Sequence, residues 1–436
     1  MQEELQIKAK TAQNNPTFFH SVRLDKTKCK GCINCIKRCP TEAIRVRKSK
    51  SPDGILENSP KAIITNEFCI DCGECIRVCP HHAKLATYDS ISALSDFEYK
   101  IGLVPPAFYA QFNNLDDKNI VLEALVNMGF DEVFEVAAAA EQLSEMSRKY
   151  IKENPDKLPL ISSACPAIVR LIRIKFPNLL THLSPFNAPV DLAAFQARKK
   201  AMEKTGLPSE KIGIAFITPC PAKVTALKYP LGIEKSDVDA VFAMKDIYPP
   251  ILIYMKHIEV EKIKTVSSSG RIGVGWGSSG GEAGGTLTDN YLATDGIENV
   301  MRVLEDLEDR KIGNLEFVEL NACAGGCVGG VLTVENPYVA QAKLKKVAKY
   351  LPVAISHTDG EYIENAFIEK PIEYKSVFSL GENFMESLWK MGQVDELMQK
   401  FPCKDCGACG APTCKALAED IVRGKAKKED CVFLDN

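Results

Sequence analysis

The sequence has no long hydrophobic run. Its best apolar stretches, VLEALVNMGF and PPILIYM, are interrupted or bounded by charges well short of the ~18 residues a spanning helix needs. The opening MQEELQIKAK lacks the apolar core of a secretory leader. Charge of one sign is also missing: 54 basic against 57 acidic side chains leave a formal net charge of −3. Apart from the short basic stretch Arg45 to Lys50, nothing supplies an electrostatic footprint for nucleic acid. These absences predict a soluble, unexported, cytoplasmic protein with no membrane insertion and no nucleic-acid partner. What is abundant is cysteine, 17 in 436 residues. Without a leader, that number points to thiolate metal ligands in a reducing compartment rather than to disulfides.

The cysteines fall into groups of eight, four and five separated by long cysteine-free stretches, the pattern of separate metal-binding modules on one chain. The length allows two or three domains. Boundaries are expected near 95 and 375, giving modules 1–95, 96–375 and 376–436.

In the first module, CKGCINCIKRCP and CIDCGECIRVCP are two copies of C-x2-C-x2-C-x3-C-P, which lets three thiolates of one tight loop grip three corners of a cubane. A pair of zinc knuckles is the alternative, but zinc sites pair two C-x2-C hooks and need no third cysteine followed by Pro. The copies resemble the two-cluster ferredoxins, which implies an α+β fold and a fourth ligand that crosses over. Cys29, Cys32, Cys35 and Cys79 are then expected to hold one 4Fe-4S cluster, and Cys69, Cys72, Cys75 and Cys39 the other. Such a module transfers single electrons at low potential, roughly −400 mV. His81 and His82, just after the second run, read as exposed loop residues or as a means of tuning a cluster.

From about 100 onward, β-prone runs (IGLVPP, DEVFEV, LPLISSAC, KIGIAFITPC, DAVFAM, LEFVELNAC) alternate with helical stretches, an α/β pattern with largely parallel sheets. Three of these runs end in cysteine loops, at Cys165, at Cys220 and at Cys323 with Cys327. Ligands of open α/β sheets sit at the carboxyl ends of strands, so four cysteines from three strand ends can converge on one site. Taken singly, each reads equally well as a small core hydrophobe.

SSACP (162–166), TPCPAK (218–223) and ELNACAGGCVGG (319–330) resemble, in order, the three signature loops of the FeFe hydrogenases. The resemblance implies a two-lobed domain of mostly parallel sheets flanked by helices. It also implies an H cluster, with Cys165, Cys220, Cys323 and Cys327 holding a 4Fe-4S cubane. Cys327 would bridge it to a diiron unit with CO, cyanide and azadithiolate ligands. Lys223 matches the family lysine that hydrogen-bonds one cyanide, a role suited to a compact point charge. Pro106 and Ala107, in VPPAF, match the stretch giving backbone contacts to the second cyanide. The glycines of AGGCVGG are expected to admit a bulky cofactor close to the backbone.

Departures from the family pattern point to a subgroup. Catalytic members carry a proton-shuttling cysteine where this chain has Ala164, and alanine relays no proton. The next relay glutamates align near Ser147 and Tyr150. Methionines of the second and third loops are replaced by Thr218 and Asn321. The set resembles the sensory FeFe hydrogenases, which implies slow reversible turnover used to detect H2. Proton exchange then needs another titratable group. Glu282, after the Gly-rich WGSSGG (276–281), is the candidate, with the alternative that it merely complements a helix dipole. Glu141 and Glu145 are weaker candidates or solvent-facing acids.

In the tail, CKDCGACGAPTCKALAEDIVRGKAKKEDC contains C-x2-C-x4-C-x16-C at Cys406, Cys409, Cys414 and Cys431. It resembles the small helical 4Fe-4S domain of corrinoid and electron-transport proteins. Cys403 is left over, or replaces Cys431; a zinc ribbon is the other alternative. In the sensory subgroup such a domain implies an extended electron wire. No sensor or kinase domain follows residue 436, so the expected partners are H2, protons and a separate redox or signalling protein such as ferredoxin. The competing expectation is an iron-sulfur scaffold or electron-transfer protein without the diiron unit, as in the assembly-factor relatives.

Overall fold

The computed structural model describes residues 19–48, 59–264 and 267–434. The MQEELQIKAK terminus and the last two residues of the Arg45 to Lys50 stretch lie outside them. No helix among the described residues is long and apolar enough to cross a membrane.

The first cysteine run lies between strands β1 (Val22–Leu24) and β2 (Ile44–Arg47), the second between β3 (Lys61–Ile64) and β4 (Lys84–Ala86). β1 pairs antiparallel with β4 and β2 with β3. This closes the two halves of the repeat on one another, around a core in which Ile36, Ile44, Val46 and Ala83 pack among the cysteines. It is the ferredoxin-like α+β arrangement expected from the repeat.

The α/β region contains two sheets. β5 (Tyr99–Val104), β6 (Glu132–Glu135), β8 (Ile212–Thr218) and β9 (Ala240–Ala243) form an all-parallel sheet in the order β6-β5-β8-β9. β7 (Leu160–Ile161), β10 (Tyr291–Asp295) and β11 (Phe317–Asn321) form a second parallel sheet, ordered β10-β11-β7. Every residue of β8 is buried, which is why IGIAFIT reads as an unbroken apolar run: helices cover both faces of a parallel sheet. Long helices, including Val136–Glu153 and Pro189–Thr205, supply those covers. The α/β expectation with mostly parallel sheets holds.

The tail folds into two packed helices, Phe384–Lys400 and Cys414–Val422. Val394 and Leu397 are buried against the second helix, while Phe384, Met385, Leu388 and Trp389 stand exposed on the first. The tail docks on the ferredoxin-like module: Arg45 and Arg47 each reach Asp420 at 2.6 Å, and Lys37 Nζ donates to the Pro412 carbonyl at 2.9 Å. At the centre of this junction the Val46 N–H donates to the Gly410 carbonyl at 2.9 Å. Gly410 has φ +81°, and a Cβ there would lie 1.8 Å from the Val46 carbonyl oxygen.

Gly410→Ala is therefore expected to cost about 2–4 kcal/mol of docking, from left-handed strain and a backbone clash. Limited proteolysis should then release the tail selectively, and a protease-resistance profile equal to the parent's would contradict this.

Candidate metal centres and the cavity between the sheets

Each N-terminal cysteine group lines its own cavity. Cys29, Cys32, Cys35 and Cys79 surround about 330 Å³ of space; Cys39, Cys69, Cys72 and Cys75 surround about 350 Å³. The fourth cysteine of each run thus lines the cavity of the other. Backbone N–H groups donate to the sulfurs, Ala62 to Cys29 (3.4 Å), Ala43 to Cys39 (3.2 Å) and Ala83 to Cys79 (3.3 Å). Burial pushes the Cys35 thiol up to about 11 and the Cys75 thiol up to about 12. Buried soft donors with N–H groups aimed at sulfur fit iron-sulfur cubanes, since coordination deprotonates a thiol outright and such hydrogen bonds tune cluster potential. His81 and His82 are exposed.

The four middle cysteines all leave carboxyl ends of strands: Cys165 after β7, Cys220 after β8, Cys323 and Cys327 after β11. They therefore meet where the two sheets face each other. Pro166 and Pro221, each following a cysteine, start helices at a position where a missing N–H costs nothing. Burial, together with Cys327 and Cys165, pushes the Cys220 thiol up to about 12, although Lys223 opposes the shift. Burial also raises the Cys323 thiol, with Cys220, Cys165 and Cys327 adding to it. All four thiols are thus near neighbours, as one metal centre requires. Burial raises the Cys72 thiol, and Cys323 adds to the shift, so this group adjoins the cavity of Cys39, Cys69, Cys72 and Cys75. Arg77, between them, donates to the Gly329 carbonyl at 2.7 Å.

Beside Cys327 opens a cavity of about 590 Å³ whose lining includes Pro106, Ala107, Ala164, Lys223, Glu282 and Asn321. Val136, Phe216 and Trp276 supply apolar wall. Seven of the residues expected around a diiron unit are brought together here. Thr218 is not: it is fully buried, and its hydroxyl turns back to the Cys220 carbonyl (3.1 Å), leaving the neighbouring Pro219 to line the cavity. The glycines of the third loop do another job as well. A Cβ at Gly330 would lie 2.3 Å from the Pro219 carbonyl oxygen, so close approach between loops already demands glycine there.

The family model for the iron-only hydrogenase large subunit, C-terminal domain, matches residues 99–291 and 280–331, together more than half of the chain. The chain belongs to the iron-only hydrogenase family. A 4Fe-4S dicluster domain model matches 28–83 and an Fe-S cluster model 402–433. Among curated relatives, the chain is 22% identical to the NADP-reducing hydrogenase subunit HndD of Solidesulfovibrio fructosivorans, over 82% of this chain and 73% of that protein. It is 24% identical to iron hydrogenase 1 of Clostridium pasteurianum, over 84% and 73%. It is also 29% identical to the cytosolic Fe-S cluster assembly factor nar1 of Aspergillus terreus, over 24% of this chain and 16% of that protein. The solved FeFe hydrogenase HydA1 of Chlamydomonas reinhardtii superposes with a TM-score of 0.45 at 14% identity, covering 58% of this chain and 87% of that one.

In this iron-only hydrogenase family member the charged residues of the cavity are few. Lys223 Nζ donates to the Ala164 carbonyl at 3.0 Å. Burial alone lowers its pKa, but Cys327, Cys220, Cys165 and Asp191 outweigh that and raise it, so the ammonium persists. Glu282 sits in the first turn of the short helix Gly281–Gly285 and is hydrogen-bonded to Ser162 Oγ at 2.6 Å; Ser162 Oγ also accepts from the Ala164 N–H at 3.2 Å. Burial and the nearby Glu319 push the Glu282 carboxyl up to about 8. Glu319, on the central strand β11, is the functional candidate that the sequence reading missed. It accepts from the N–H groups of Gly280 (3.0 Å) and Ala283 (2.8 Å) and from Asn321 Nδ2 (2.7 Å). Burial raises its pKa against those three donors. Two buried carboxyls in unequal surroundings are suited to holding and passing one proton.

Other expected relays are absent from the cavity lining. Glu141 neither lines it nor faces solvent: it is buried and accepts the N–H groups of Gly270, Gly273, Ile355 and Ser356. Glu145 likewise accepts from Thr358 and Gly360. Ser147 is buried on the same helix, and Tyr150 packs on Phe186.

In the tail, burial raises the Cys409 thiol, with Cys406 and Cys431 as its thiol neighbours. Cys414 is buried at the start of its helix. Cys403 is exposed, and its thiol is directed at the carbonyls of Phe401 (3.5 Å) and Met398 (3.8 Å).

Proposed function

We propose that this chain is a slow, reversible FeFe hydrogenase of the sensory type, cytoplasmic, in which H2 and protons are the substrates. Electrons pass through 4Fe-4S clusters to a separate redox or signalling partner. The observation that carries the reading is the lysine-bearing cavity beside Cys327: a pocket lined by one ammonium and two buried carboxyls, Glu282 and Glu319, is chemistry for an anionic, proton-exchanging cofactor. Cys165, Cys220, Cys323 and Cys327 would hold the cubane, and Cys327 the diiron unit as well. When bound, the H cluster supplies the redox chemistry of heterolytic H2 cleavage. The protein orients it, excludes water and moves the proton. Lys223 would offer its ammonium to the anionic ligands of the group, and Pro106 and Ala107 line the same cavity. Val136, Phe216 and Trp276 keep bulk water out, which strengthens every charge interaction inside.

Ala164 cannot shuttle a proton. Glu282, protonated at neutral pH, holds one at its carboxyl, and Glu319, which also lines the cavity, completes a carboxyl pair. For the wire we assign Cys39, Cys69, Cys72 and Cys75 to the cluster next to the H cluster, then Cys29, Cys32, Cys35 and Cys79. Cys406, Cys409, Cys414 and Cys431 form the outermost cluster, in a module that contacts the loop of Ile33 and Ile36.

The scaffold reading draws on the short match to the assembly factor, but an empty diiron pocket has no use for Lys223 and Glu282. The test is isotope exchange: protein loaded with the diiron subsite should form HD from H2 in D2O at a low but measurable rate. No exchange from the loaded protein would overturn the reading. Ala164→Cys places a thiol beside the Ser162–Glu282 pair and is expected to raise H2 turnover at least about tenfold. An unchanged rate would locate the bottleneck beyond Glu282.

A further inference from the structure

Lys84, on β4, is one of the largest fully buried side chains of the protein, only 2% exposed, and its Nζ has no hydrogen-bond partner among the described residues. A bare buried ammonium is expensive unless a charge compensates it. Its surroundings show what that charge is. Lys84 lines the same cavity as Cys29, Cys32, Cys35 and Cys79. It also acts electrostatically on Cys75, which belongs to the other N-terminal cavity. The ammonium therefore stands between two thiol groups, and among the described residues no carboxylate forms an ion pair with it.

We infer that Lys84 is a positioning charge for electron transfer, a fixed cation shared by the two N-terminal 4Fe-4S clusters that raises the reduction potential of both. A four-thiolate cubane is anionic, and each added electron makes it more so. A cation buried between two of them favours the reduced form of either, because the low-dielectric interior screens it weakly. The same charge accounts for the orphaned Nζ: its partners are the sulfur atoms of the clusters. The inference rests on the ligand assignment of the N-terminal cavities and not on hydrogen chemistry, so it stands or falls separately from the proposed activity.

The experiment is a potentiometric titration of the full-length, iron-loaded protein followed by electron paramagnetic resonance, comparing the parent with Lys84→Met, Lys84→Gln and Lys84→Arg. The Met and Gln variants should disfavour one-electron reduction of the N-terminal clusters at least tenfold, a shift of about 59 mV to lower potential. Lys84→Arg should stay near the parent, and the C-terminal cluster should not move in any variant. N-terminal potentials unchanged in both Lys84→Met and Lys84→Gln would overturn the inference, as would an equal shift of all clusters. If Lys84→Met loses its clusters, Lys84→Gln, which keeps a polar head, carries the test. A parent protein without two N-terminal cluster signals would instead overturn the ligand assignment.

Discussion

Glu282→Gln should slow the proton-coupled step of turnover by about 10²–10³-fold while leaving iron content and subsite uptake intact. The substitution keeps the shape that meets Ser162 Oγ and removes the titratable proton. Burial and Glu319 raise the Glu282 carboxyl from 4.5 to about 8, so below that pH it carries a proton and above it the donor is lost. The parent's H2-evolving rate should accordingly fall as pH rises through about 8, and the Gln variant should lack that limb. The stability consequence has a definite sign. A carboxyl whose folded pKa is raised gives its full contribution below its unfolded value, near 4.5, and loses it as pH rises towards 8. Glu282→Gln should therefore be at least as stable as the parent at pH 8–9, where the buried charge has become a burden. Parental turnover with a parental pH profile in the variant would remove Glu282 as the relay.

Lys223→Met has the second large expected effect. The side chain keeps its length and loses its charge in a cavity where Lys223 is the one ammonium among the described lining residues. Leaving an anionic ligand unpaired in such a site costs about 2–5 kcal/mol, or roughly 30- to 4,000-fold in retention of the diiron subsite. The four cysteines and their cubane should persist, because Lys223 reaches only the Ala164 carbonyl by hydrogen bond. The expected result is a protein with cubane signals and little or no diiron infrared signal. Parental subsite occupancy would contradict the role given to Lys223.

The cysteine spacings stood out because cubane ligation is local: three thiolates of one loop carry their own geometry, whereas the crossing of the fourth came from the resemblance to the two-cluster ferredoxins. The strand-end position of Cys165, Cys220 and Cys323 was legible from apolar runs that stop at each motif. Glu282 could be found because the preceding glycine run announces a helix start. Glu319 escaped notice because an acid in FVELN reads as the solvent side of an alternating strand. β11 is instead the middle strand of its sheet, so the carboxyl is buried against loop N–H groups contributed from 36 and 39 positions away. Glu141 misled for a related reason: its donors lie 129 to 215 residues along the chain, a distance at which periodicity carries no information. Thr218 illustrates the period-2 rule at a strand end, where a one-residue shift hands the cavity face to Pro219.

The central claim is that the cavity beside Cys327 takes up a diiron subsite that responds to hydrogen. Infrared spectroscopy of the anaerobically reconstituted, subsite-loaded protein, before and after exposure to H2, tests it most directly. CO and cyanide bands that appear on loading and shift under H2 are the predicted result. Absence of those bands, under conditions that load a known FeFe hydrogenase, would contradict the claim and leave an iron-sulfur scaffold in its place.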